Sequence, residues 1–322
     1  VLSDLPLPFR RKKRPSIEVR RFRGPARFDE SLSHLRVAHL TDMHFGRVTP
    51  LAAQEAAVAA VNEAKPDVVV ITGDFVCHSQ AYLDQMAEVL ATLEAPAFGV
   101  LGNHDYWSGA DEVRHGLKKA GVQLLDNAHT VIEARGERLQ IVGLDDPYTG
   151  HADRARALKG LRKDLPAIGL SHIAEEADAL WAHGVPLVLA GHTHGGQVTL
   201  ASLHELALGK IVGHKYVHGL YGRRAPNGGG EPQGAVYVSA GIGAAVMPIR
   251  LGDRGRREVA IFELGRDAPK VDEHHDEQPP LPGRKPSPSL VAKRQEAVHK
   301  KMWKREQAAA KRAIAAEKKK KG

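Results

Sequence analysis

Asp42-Met43-His44, Gly73-Asp74, Asn103-His104-Asp105, His172 and His192-Thr193-His194 carry the side chains that could do chemistry together. Each cluster follows an apolar segment: 35–40, 68–72, 97–101, 167–170 and 187–190. Ligands of open α/β sheets collect beyond the carboxyl ends of the strands, so the five clusters are expected on one edge. Carboxylate, amide and imidazole together suit borderline divalent metals such as Mn, Fe or Zn rather than calcium alone. Seven or eight such donors are too many for one ion, and two ions sharing one carboxylate is the economical arrangement. Taken singly, a strand-end Asp could cap a helix and a buried His could be a core residue. Five clusters in series imply a shared geometry that caps do not need. In His192-Thr193-His194 an extended backbone, with its period of two, would point both rings the same way, and the adjoining glycines would permit a tight turn.

The elements that must position these residues follow from the hydrophobic pattern. Strands are predicted over 17–22, 35–40, 68–72, 97–101, 122–125, 130–134, 139–143, 167–171, 187–190, 235–239 and 258–264. Helices are predicted over 51–64, 81–93, 111–120, about 153–163 and 175–183. This mixed order predicts two packed sheets with helices outside. Residues 1–15 read as a flexible basic arm, 16–265 as the folded domain and 266–290 as a Pro-rich, charged linker. Residues 291–322 read as a basic tail, expected to be a solvated and partly frayed helix because its apolar positions (Val291, Val298, Met302, Ile314) are sparse.

Asp42-x-His44, Gly73-Asp74, Gly102-Asn103-His104-Asp105, His172 and Gly191-His192-x-His194 resemble the motifs of the calcineurin-like metallophosphoesterase superfamily over about residues 17–264. The resemblance implies an α/β fold, a four-layer αββα sandwich of two mixed β-sheets flanked by helices. It implies that Asp42, His44 and His194 hold one metal, that Asn103, His172 and His192 hold the other, and that Asp74 bridges them. His104 would act on the phosphate as general acid or charge stabiliser, with Asp105 orienting it. Gly195-Gly196-Gln197-Val198, His218-Gly219-Leu220-Tyr221, and Gly241-Ile242-Gly243 followed by Pro248-Ile249-Arg250 are similar to the YkuE/YaeI-like bacterial phosphodiesterase subgroup. Some relatives there act on lipid-linked pyrophosphates such as UDP-diacylglucosamine.

Two divalent ions, manganese first among them and iron or zinc as alternatives, would ready a bridging hydroxide for in-line attack on phosphorus. The expected reaction is hydrolysis of a phosphodiester or pyrophosphate bond, and no Ser or Cys nucleophile is needed. Arg250, His218 and Tyr221 are candidate substrate contacts. Asp145-Asp146 before Pro147 reads as a turn, Cys77 as a packed residue, and the loop region 199–234 as a hairpin on the domain.

The net charge of +8 is uneven: +7 over residues 1–27, +11 over 284–322, and −10 over the body between. That distribution argues against a basic groove in the folded body, and a nuclease or cyclic-nucleotide phosphodiesterase is the second reading. The basic ends suit an anionic membrane surface or nucleic acid. A silent scaffold acting through those ends is the reading from another class, and the complete ligand set opposes it. No signal peptide or apolar span is visible, so a cytoplasmic location, peripheral to the inner membrane surface, is expected. The oligomeric state is not legible.

Overall fold

The computed structural model describes residues 15–196, 213–224, 234–244, 256–273, 278–281, 283 and 287–320. The first sheet holds β1 (Glu18–Arg23), β2 (Leu35–Leu40), β3 (Val68–Thr72), β4 (Ala97–Val100), β5 (Val122–Leu124) and β12 (Glu258–Leu264) in the order β1-β12-β2-β3-β4-β5. The second holds β6 (Ala128–Ala134), β7 (Glu137–Gly143), β8 (Ala167–Leu170), β9 (Leu187–Ala190), β10 (Gly219–Gly222) and β11 (Ala235–Val238) in the order β10-β11-β9-β8-β7-β6. Strands β2 to β5 run parallel, as do β7, β8, β9 and β11, so the ends of β2, β3 and β4 share one edge, as do those of β8 and β9.

Alternation of side chains sorts each strand between two cores. Val37, Val68 and Val70 enter the core between the sheets with Ile168, Leu187 and Leu189. Their neighbours Ala38, Val69 and Ile71 meet the helix layer of α1 (Leu51–Glu63), α2 (Leu83–Leu90) and α4 (Ala110–Lys119). Val188 and Ala190 meet α5 (Arg154–Leu158) and α6 (Ala177–Ala182) on the far side. Both faces of each sheet are covered, which is why these strands read as continuous apolar runs. The expected four-layer α/β sandwich is the architecture.

Several elements differ from the expectations. The helix predicted over 153–163 stops at Leu158, because Gly160 takes a positive φ of 85°. A short helix α3 (Asn103–Ser108) forms within the candidate cluster itself. The loop region 199–234 contributes β10, which pairs antiparallel with β11. Residues 197–212 and 225–233 lie outside the described residues, as do 1–14 of the basic arm.

Described parts of the 266–290 linker lie along the domain. The Gln278 N–H donates to the Leu220 carbonyl (2.9 Å), and Leu281 to Lys215 (2.9 Å). The tail forms one helix, α7 (Pro288–Lys320). It is not wholly solvated, since Val298 is 2% exposed and joins the core beside the first sheet. Among the described residues no helix is long and apolar enough to cross a membrane.

Leu189→Ala should lower unfolding free energy by about 2–5 kcal/mol through the cavity left between the sheets, read as a lower denaturant midpoint at unchanged slope.

Candidate metal centre

Three clusters leave the first sheet and two leave the second, and they meet where the sheet edges face each other. Backbone bonds knit the loops: Asp42 N–H to Gly73 O (3.0 Å), His44 N–H to Asp74 O (3.0 Å) and Gly191 N–H to His172 O (3.2 Å). His172 crosses between the sheets, with its Nδ1 2.7 Å from the Thr72 carbonyl. That bond presents Nε2 to the centre. Gly73 sits at φ 87°, and a Cβ there would lie 2.6 Å from Gly102 N and 2.9 Å from His172 Nδ1. Only glycine tolerates both the backbone conformation and the close approach.

Nine non-glycine residues among those described have positive φ, and five of them are Asp42 (49°), His44 (44°), Asp74 (54°), His192 (75°) and His194 (52°). The extended backbone expected for His192-Thr193-His194 is therefore absent. Both residues are left-handed, and each ring joins a different donor group around Asp74. Such conformations cost roughly 1–3 kcal/mol each and persist only where surroundings over-determine them. Here the Asp42 carboxylate accepts the His192 N–H (3.0 Å), and the Thr193 hydroxyl donates to the Val217 carbonyl.

The donor atoms form two overlapping groups. Asp42, His44, Asp74 and His194 present ligand atoms within 4.8 Å of one another, as do Asp74, His172 and His192. Nε2 of His44 is 3.1 Å from Nε2 of His194, and Nδ1 of His192 is 3.2 Å from Nε2 of His172. Asp74 Oδ2 belongs to both groups, 3.5 Å from His44 Nε2 and 3.3 Å from His172 Nε2. Its Oδ1 accepts the His104 N–H (2.8 Å).

Electrostatics at these atoms favour a cation. Burial, and then the Asp74 charge, push Asp42 up to about 7 against the pull of His172. Burial alone would lower His172, but Asp74, Asp42 and Asp146 carry it to about 10. Burial would raise Asp74, yet the surrounding imidazoles hold it well below the carboxylate range. Buried carboxylates must be paired or coordinate metals. Asp42 Oδ1 and Asn103 Oδ1 are buried oxygens with no hydrogen-bond partner, as cation ligands would be. The donor set fits divalent metal.

The calcineurin-like phosphoesterase family model matches residues 35–196, the span that carries all five clusters. The chain is 30% identical over 243 residues to "Phosphodiesterase YaeI" of Escherichia coli, covering 74% of this chain and 84% of that protein. The chain belongs to the calcineurin-like phosphoesterase family. It is 29% identical over 236 residues to the "Uncharacterized metallophosphoesterase YkuE" of Bacillus subtilis (71% of this chain, 78% of the relative). It is 34% identical over 245 residues to a Danio rerio "Transmembrane protein with metallophosphoesterase domain" (70% of this chain, 52% of the relative). Membership makes this metallophosphoesterase a metal-dependent phosphoester hydrolase.

His104 stands at the rim of the centre, edge-on to His44 (4.8 Å between centroids), His78 (4.4 Å) and Trp107 (4.7 Å). Burial lowers its pKa, and the charges of His172 and Lys301 lower it further against Asp74. Asp105 does not reach the ring. Its carboxylate accepts the N–H groups of Gly102 (2.9 Å) and Val76 (3.1 Å), so it clamps the loop entering α3. The Cys77 thiol lies near His44 and His104, and burial with the Asp74 charge pushes it up to about 11, which keeps it neutral.

His218 and Tyr221 are corrected as substrate contacts. Tyr221 is 2% exposed and its hydroxyl accepts the N–H of Val217 and of His218. His218 is fully buried with Nε2 3.3 Å from Glu258. Glu258 also takes Arg20 Nε (2.7 Å), the Tyr237 hydroxyl (2.8 Å) and the Ala240 N–H (2.9 Å). This cluster pins β1 and β12 of one sheet to β11 of the other. Arg250 lies outside the described residues. Asp146 accepts the N–H groups of Tyr148 (3.1 Å) and Thr149 (2.8 Å), the expected turn.

That turn presents Tyr148 against His192, 5.1 Å between centroids. Trp107, Tyr148 and His214, which lies 5.4 Å from His192, were not legible as site residues. The one available signal was the position of Trp107, four residues beyond Asn103 and so one helical turn along.

Burial would raise Glu258, but His218 and Arg20 hold its pKa below the ordinary glutamate value. A depressed folded value stabilises above the unfolded pKa and is lost as pH falls below it. Glu258→Gln should cost about 3–5 kcal/mol at pH 7, and the gap to the unmodified protein should narrow as pH falls below about 4.3, measured by denaturant unfolding across pH.

Proposed function

We propose that this metallophosphoesterase is a dimetal phosphodiesterase that hydrolyses a phosphodiester or pyrophosphate bond. The carrying observation is the position of Asp74 Oδ2, shared by the two donor groups at 3.5 Å from His44 Nε2 and 3.3 Å from His172 Nε2. Asp42, His44 and His194 would hold one ion, Asn103, His172 and His192 the other, and Asp74 both, with manganese the expected metal. Bound there, two cations would supply Lewis acidity to activate water and neutralise phosphate charge.

The chain's own residues do the rest. The backbone N–H of His104 donates to Asp74 and anchors the start of α3, and edge-on contacts with His44, His78 and Trp107 hold the ring beside the donors. Burial holds its pKa down, and the ring would act as an N–H donor to charge developing on the phosphate, the charge-stabilising one of its two expected roles. Trp107 and Tyr148 flank the centre beside His104 and His192 and narrow the approach to it. The diester preference is supported by the name of the relative YaeI. A lipid-linked pyrophosphate such as UDP-diacylglucosamine suits the basic ends, +7 over 1–27 and +11 over 284–322, which would draw the chain peripherally to an anionic membrane surface.

Hydrolysis of bis(p-nitrophenyl) phosphate should require Mn²⁺, stop with EDTA and return on adding metal back; no release under any metal sinks the reading. In the same assay His104→Ala should lose about 10²- to 10³-fold in kcat while retaining both ions by elemental analysis. Asp74→Asn should lose metal from both positions, and two ions per chain in that variant would overturn the bridge.

A further inference from the structure

The hydrolysis proposed above uses no side chain beyond Leu264 at the metal centre, yet α7 returns across the edge of the sheets where the donor clusters lie. Between residues 287 and 304 one stripe of the helix is shielded: Val291, Arg294, Gln295, Val298 and Lys301, with the intervening residues exposed. The i, i+3, i+4, i+7 spacing defines one docking face. Val298 is its anchor, 2% exposed. Gln295 Nε2 donates to the Gly150 carbonyl (3.2 Å), and the helix packs on α3. Gly150 lies in the turn that carries Tyr148, and α3 begins at Asn103 of the candidate donor set, so both landing sites adjoin the metal centre.

Two cations of this face stand on the two aromatic rings beside the centre. The Arg294 guanidinium lies 3.6 Å from the Tyr148 ring centroid, and Tyr148 lies 5.1 Å from His192. Lys301 Nζ lies 5.4 Å from the Trp107 centroid, and Trp107 lies 4.7 Å from His104. Tyr148 and Trp107 are themselves 6.1 Å apart. Among the described residues no carboxylate neutralises Arg294. A guanidinium stacked on a ring keeps its N–H edges in plane and able to grip two phosphate oxygens.

We propose that Arg294 and Lys301 form an anion subsite beside the metal centre, which takes a second phosphoryl group of the substrate. The preferred substrate class is then a diphosphate diester rather than a simple diester. Resting on the function proposed above, this sharpens its choice between the two bonds. Cation–π contact preorients both side chains, so little rotamer entropy remains to be lost when the anion arrives. The anchoring by Val298 fixes the distance between subsite and centre, which a solvated tail would leave undefined.

The test compares methylenediphosphonate and methylphosphonate as inhibitors of bis(p-nitrophenyl) phosphate hydrolysis at saturating Mn²⁺. Replacing both cations (Arg294→Ala with Lys301→Ala) should weaken the diphosphonate at least about tenfold more than the monophosphonate. Arg294→Lys, which keeps charge but loses the fork, should fall between. Equal weakening of both ligands overturns the subsite. So does faster hydrolysis of the chromogenic diester by the double variant, which would make α7 an obstructing lid. Should the unmodified protein fail to hydrolyse the diester, the proposed function falls by itself. Calorimetric titration of the same two phosphonates into the Mn²⁺-loaded chain and its variants then still decides the subsite, by the same difference.

Discussion

Two carboxylates, Asp42 and Asp74, are buried among imidazoles with ligand atoms within 4.8 Å of one another, and the rest of the structure serves that concentration of charge. Neither carboxylate could stay ionised alone in such surroundings. The His172 imidazolium raises the cost of losing the negative charge of Asp74, and the carboxylates raise the cost of losing the positive charge of His172. Divalent metal would resolve the conflict better than protons can, because it would satisfy buried oxygens such as Asp42 Oδ1 and Asn103 Oδ1 at the same time.

Holding those atoms in place needs rigidity from two independent sheets. Residues on β2, β3 and β4 bring Asp42, His44, Asp74 and Asn103; β8 and β9 bring His172, His192 and His194. Their relative position is set by the inter-sheet core and by polar pins across it, including the His172–Thr72 contact and the buried Glu258 cluster. The left-handed backbone at five donor residues is the local expression of the same demand. A strand that simply continued would carry its side chains past the centre, and the sharp turn re-aims them. The strain is tolerated because the backbone bonds from Asp42, His44 and Gly191 leave the loops little alternative.

The outer wall has a different origin. Trp107 rides on the helix that begins at Asn103, and Tyr148 is presented by the Asp146 turn, so each ring is positioned by a neighbour of the centre. The C-terminal helix then adds charge to both rings. A chain whose folded body carries net −10 thereby brings cations to the mouth of its own site from a tail that carries +11. Phosphate esters are anions, and a cationic mouth raises their local concentration and their rate of encounter.

The sequence alone pointed to the family and to the side chains that the structure gathers at one edge, because metal ligation restricts residue type and because each candidate donor follows the end of an apolar strand. It also determined the two-sheet architecture, since strands covered on both faces must be continuously apolar, as Val68–Thr72 is. Residue type did not reveal direction. His218 and Tyr221 carry groups as suited to a substrate as any, and only the packing of β10 against β11 turned them into the core. Asp105 looked like a partner for His104, but helix formation at Asn103 gave its carboxylate two backbone N–H groups instead. The tail read as solvated because four sparse apolar positions (Val291, Val298, Met302, Ile314) in a basic helix are a weak local signal. Tertiary structure decided otherwise, because the contacts that hold α7 to the metal centre lie about 150 to 200 residues away in the chain, at Tyr148, Gly150 and Trp107, and no local periodicity reports a surface that only folding assembles.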